Sequence, residues 1–72
     1  DRLSEALAFC RRAVATRADE PRYAHALALL LVQAREDAEA ARILEQLVKT
    51  DPDNTDAQLL LLEIKGRMKA TR

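Results

Sequence analysis

Glycine occurs once in this 72-residue chain, at Gly66, and cysteine and histidine once each, at Cys10 and His25. A single glycine leaves no Gly-rich loop to cradle a phosphate. A lone cysteine excludes a disulfide framework and a Cys-x-x-Cys-His haem site. One cysteine and one histidine make no cluster of metal ligands either. Charge of one sign is also missing: twelve acidic and twelve basic residues are interspersed and sum to zero. Without a basic block nothing neutralises a phosphate backbone, so nucleic acid is not an expected partner. The apolar run from Ala26 to Val32 is seven residues, far short of the ~18 that a membrane span requires. No membrane insertion is expected.

What remains is a small domain. Chains of this size bury only about 60% of their unfolded surface. A core on this scale rarely supplies more than about 3–5 kcal/mol without help. With no disulfide and no metal, stability has to come from helix packing, self-association or continuation into further structure.

Apolar spacing predicts four helices. From Asp1 to about Arg17, the residues Leu3, Ala6, Leu7, Cys10, Ala13 and Val14 fall on one helical face. Ala18-Asp19-Glu20-Pro21 is a break and restart: Asp19 or Glu20 can cap, and Pro21 suits a first turn. The helix from Pro21 to Ala34 is apolar nearly all round from Ala26 to Val32, which predicts a central position with neighbours on several sides. Arg35-Glu36-Asp37 is a short polar turn, and short links force antiparallel neighbours. Asp37 to about Thr50 turns Ala40, Ala41, Ile43, Leu44, Leu47 and Val48 inward. Asp51-Pro52-Asp53-Asn54-Thr55 stops that helix and offers caps for the next. The last runs from about Asp56 to Lys69 on a stripe of Ala57, Leu60, Leu61, Ile64 and Met68.

The pattern repeats. Shifting the chain by 34 residues pairs Glu5-Ala6 with Glu39-Ala40, Val14 with Val48, Thr16 with Thr50, Asp19 with Asp53 and Leu27 with Leu61. Residues 21–54 then form one unit, opened by Pro21 and closed by Asp51-Pro52-Asp53-Asn54, with Ala24, Leu27, Ala28 and Leu31 followed by Ala40, Leu44 and Leu47. This spacing resembles the tetratricopeptide repeat (TPR) family. The resemblance covers nearly the whole chain: 1–20 as the second helix of an earlier repeat, 21–54 as a complete repeat, 55–72 as the first helix of a later or terminal one. It departs from the family pattern at Ala24, where Trp is preferred, at Leu31 for Tyr, and at Leu44 for a large aromatic. Arg35 stands where Gly usually eases the turn, and Ala18 where Pro is usual. The chain opens part-way into a repeat without an initiating Met, as expected of a piece of a longer repeat protein.

The resemblance implies an all-α, right-handed superhelical stack of four helices and a non-catalytic role in binding other proteins. First helices of such repeats line a concave groove. Here that stripe would carry Arg22, His25, Leu29, Val32 and Gln33, with Leu59 and Glu63 on the neighbouring helix. An apolar floor with charged rims suits a partner helix or extended segment. Leu29, Asp56, Leu59 and Glu63 stand where a carboxylate clamp would need Lys, Asn or Arg, so acidic C-terminal tails are not the expected ligand. A second reading is structural. Leu59, Leu62 and Gly66 point away from the core stripe of the last helix and could meet a second copy of the chain or further repeats.

Catalytic and metal chemistry find little support. His25 has no nucleophile or orienting carboxylate nearby in sequence, and Cys10 on an apolar stripe reads as a small inert hydrophobe. Glu36-Asp37 with Glu39 reads as a helix start, where negative side chains are favoured. Asp51-Asp53-Asn54-Asp56 reads as a cap rather than a cation loop. No enzymatic activity, cofactor or metal is expected.

Overall fold

Each stretch of helical spacing becomes a helix: α1 (Arg2–Thr16), α2 (Pro21–Gln33), α3 (Asp37–Thr50) and α4 (Thr55–Ala70). The computed structural model describes residues 1–70, and among these there is no strand. The expected final segment, 55–72, ends in Thr71 and Arg72, which lie outside the described residues. Asp1 caps α1, its Oδ1 accepting from the Ser4 N–H at 2.8 Å. Asn54 caps α4, its Oδ1 accepting from the Ala57 N–H at 3.1 Å, so the Asp51–Asp56 loop does the work of a helix start. Pro21 opens α2 in the first turn, as expected. One cap differs. Glu20 occupies the cap position of α2 without bonding it; its carboxylate instead accepts from the Arg22 Nε–H at 3.1 Å.

The α2–α3 turn shows how the missing glycine is managed. Arg35 adopts φ 66°, the left-handed conformation that glycine takes without a Cβ penalty. The Glu36 N–H donates to the Leu31 carbonyl at 2.8 Å and the Arg35 N–H to the Val32 carbonyl at 3.1 Å. That pair of bonds is a Schellman motif, which satisfies the last carbonyls of a helix. The chain reverses as in the repeat pattern, with arginine carrying the strain.

Packing follows chain order: α2 lies between α1 and α3, and α4 packs on the other flank of α3. The core is built from Leu27, Ala28 and Leu31 of α2, Ala40, Ala41, Leu44 and Leu47 of α3, and Ala57 and Ile64 of α4. Ala28 and Ala40 are both fully buried. Methyl groups at such contacts let axes approach near the lower end of the ~8–10 Å range. The result is a slab, 33 × 33 × 14 Å between Cα extremes. Its end helices are covered on one side only. No residue of α1 is fully buried, and Phe9 on α1 is 65% exposed.

On α4 the expected stripe faces α3, with Ala57 and Ile64 buried and Leu60, Leu61 and Met68 at the core edge. Leu62 is 67% exposed, whereas Ala28, its counterpart 34 residues earlier, is fully buried. In α2 that position meets the following helix; in α4 the same face is open. Among the described residues, three ion pairs cross between helices: Arg11 with Glu39, Lys65 with Glu45 at 3.2 Å, and Arg67 with Asp37 at 3.0 Å. All are solvent-accessible, so each adds at most about 1 kcal/mol. Among the described residues no helix is long and apolar enough to cross a membrane.

Candidate functional site

The residues expected to form a groove divide between two helices. On α2, Arg22, His25, Leu29, Val32 and Gln33 recur at helical spacing on one side of the helix, with Val32 packed against the core at its edge. Leu29 is 44% exposed, while His25 and Val32 are half-buried. Arg22 already engages Glu20. That pairing holds the Glu20 carboxyl below its ordinary value and raises the Arg22 guanidinium, through their shared hydrogen bond first and their charges second. On α4, Leu59 is 60% exposed and Glu63 is open to solvent.

Only part of this set converges. Val32 and Gln33 line a cleft of about 510 Å³ with Arg35, Asp37, Arg67 and Ala70, drawn from the end of α2, the α2–α3 turn, the start of α3 and the last turns of α4. Leu29, Leu59 and Glu63 lie outside that cleft's lining. They present apolar and acidic groups along the two helices instead. Leu59, Leu62 and Gly66 fall on one strip of α4, and a Cβ built at Gly66 would meet nothing within 4 Å.

A larger cleft, of about 870 Å³, has no counterpart in the sequence reading. It runs between α1 and α3, with the first turns of α2 beneath it. Val14, Pro21, Ala24, Ile43 and Leu47 supply its apolar surface. Because α1 and α3 are not neighbours in the chain, no periodicity within one helix marks it. The available signal was the shared polar face of α3, in which Glu39, Arg42, Gln46 and Thr50 recur at helical spacing beside Ile43.

Electrostatics distinguish the ends of that cleft. Glu39 is clasped by Arg11 through both carboxylate oxygens. The hydrogen bond holds the Glu39 carboxyl below its ordinary value against the opposing effect of burial, with the charges of Arg11 and Arg42 adding to it. The same contact raises Arg11. Among the described residues no group of three or more His, Cys, Asp or Glu side chains is placed to hold a metal ion. Cys10 is a free thiol at the edge of the core.

A family model described as tetratricopeptide repeat matches residues 21–64, from the start of α2 into the second half of α4. This chain belongs to the tetratricopeptide repeat family. No curated protein and no solved structure matches it. The match agrees with the helix order, with the small residues Ala28 and Ala40 at the α2–α3 contact, and with an all-α stack. Tetratricopeptide repeats are in general non-catalytic modules for protein–protein interaction.

Proposed function

We propose that this tetratricopeptide repeat chain holds a helix or extended segment of another protein against the face shared by α2 and α4. On this reading it comprises half, one and half repeats, divided as 1–20, 21–54 and 55–72. Leu29, Val32 and Leu59 act as apolar anchors, and Arg22, His25, Gln33 and Glu63 fix register. The observation that carries the reading is the exposure of Leu29 and Leu59, 44% and 60%, on the two helices that a repeat stack uses for its groove. Two leucines left open on adjacent groove helices suit apolar anchoring, with polar neighbours selecting orientation.

Peptides selected from a random display library against the folded chain provide the test. Leu29→Asp and Leu59→Asp should each abolish binding of the selected peptides while circular dichroism stays unchanged. Retained binding in both variants would refute the groove.

A second reading, structural self-association, is favoured by Leu62. It is 67% exposed beside Leu59 on an end helix. Leu59, Leu62 and Gly66 would then meet a second copy of the chain or a further repeat. Leu62→Glu separates the readings, since it should dissociate an assembly and leave a peptide on the α2–α4 face in place.

A further inference from the structure

We infer that the α1–α3 cleft is a second docking site, taking an apolar segment of a partner protein that ends in a basic side chain. This goes beyond the α2–α4 reading and uses a different face. Ala24, which borders the cleft, lies on the α2 stripe packed into the core with Leu27, Ala28 and Leu31, and not on the stripe that carries Leu29. The cleft volume, about 870 Å³, lies within the ~300–1,000 Å³ range of sites that bury a ligand-sized group. Its floor of Val14, Pro21, Ala24, Ile43 and Leu47 offers dispersion contacts and no hydrogen bonds from side chains, so it selects aliphatic or aromatic groups.

Charge decides which way the occupant lies. At one end Glu39 is neutralised by Arg11, while Arg42 lines the cleft with no ion pair among the described residues. At the other stand Asp19 and Asp51. Asp51 has no ion pair among the described residues, and Asp19 has only a loose one, 3.8 Å from Arg17. Glu39 and Asp51 are separated by about 18 Å along α3 at 1.5 Å per residue. The C-termini of α1 and α3, at Thr16 and Thr50, bring partial negative charge to this end and the N-terminus of α2, at Pro21, brings partial positive charge, so the two aspartates set its sign. The site is therefore dipolar. A Lys or Arg of the partner seats beside Asp19 and Asp51, and an acidic group there is repelled. The Arg11–Glu39 clasp spans α1 and α3 and holds the cleft's two walls together at the other end.

Two blocked, fluorescein-labelled peptides test this, both with the apolar sequence Leu-Phe-Leu, one ending in two lysines and the other in two glutamates. Anisotropy titration should show the lysine peptide binding at least about tenfold more tightly, a ratio within reach of one charge reversal. Asp19→Asn with Asp51→Asn should erase that ratio, and Ile43→Glu should weaken both peptides. Equal binding of the two peptides, no saturable binding of the lysine peptide, or an unchanged ratio in the double Asn variant would each overturn the proposal. Both aspartates are at least partly exposed, so the Asn variants remain informative even where Ile43→Glu unfolds the chain. Loss of binding in Leu29→Asp with retention in Ile43→Glu would assign the peptide to the α2–α4 face and equally overturn it.

Discussion

Arg35 concentrates the cost of a sequence with almost no glycine. At φ 66° its Cβ crowds the backbone, a conformation that costs an L-residue roughly 1–2 kcal/mol. The two Schellman bonds from Arg35 and Glu36 hold it there. Arg35→Gly removes the penalty but loosens the unfolded chain, an opposing effect of about 0.4–1 kcal/mol. The balance favours the folded state by up to about 1.6 kcal/mol, and for a domain of this size each kcal/mol gained raises Tm by roughly 4–8 °C. Thermal unfolding by circular dichroism checks it. An unchanged or lowered Tm would mean that the arginine stem contributes packing that outweighs the strain.

At the scale of helices, the hydrophobic stripes read in the sequence became the faces that pack. Leu27 with Leu31, Leu44 with Leu47, and Ala57 with Ile64 are buried as their spacing implied, because a helix fixes which residues share a face. Relations between helices distant in the chain were not legible. The α1–α3 cleft and the Arg11–Glu39 clasp depend on how far apart two parallel helices stand, which no single stripe encodes. Of the two expected caps, Asp19 or Glu20, it is Glu20 that takes the position, and its carboxylate bonds Arg22 instead of the helix, a local competition that residue type alone does not decide. The clasp carries a pH dependence. Because Glu39 titrates lower in the folded chain than in the unfolded one, its contribution is present above the ordinary carboxyl value near 4.5. It is lost as pH falls through the lowered folded value. Solvent screening keeps the effect under about 1 kcal/mol. Urea unfolding from pH 6 down to pH 3 (roughly the span of carboxyl titration) should show wild type losing stability more steeply than Glu39→Gln. Parallel pH profiles would mean that the clasp is formed equally in the unfolded chain.

For the whole molecule, a slab 14 Å thick holds its core between successive helices, and its stability is a sum of contacts between them. The open flank of α4 is therefore one place where added structure would stabilise the chain. Leu59, Leu62 and Gly66 lie on that flank, and the space above Gly66 is empty. Gly66→Ala consequently reports on whether the flank is covered in solution. In an isolated chain the new methyl clashes with nothing, and replacing a mid-helix glycine should add about 0.5–1 kcal/mol, a Tm rise of a few degrees in dilute samples. In an assembly closed over this strip the same methyl would hold the covering helix away, and Gly66→Ala would lower the association constant. Light scattering and circular dichroism across one concentration series read both effects together. If self-association completes the fold, wild-type mass and helicity rise together with concentration, Leu62→Glu stays monomeric with reduced helicity, and Gly66→Ala needs a higher concentration to assemble. A fully helical monomer at every concentration removes the self-association reading. A lower Tm for Gly66→Ala in dilute solution would contradict the open flank itself, because only a neighbour already seated on Gly66 could turn an added methyl into a destabilising one.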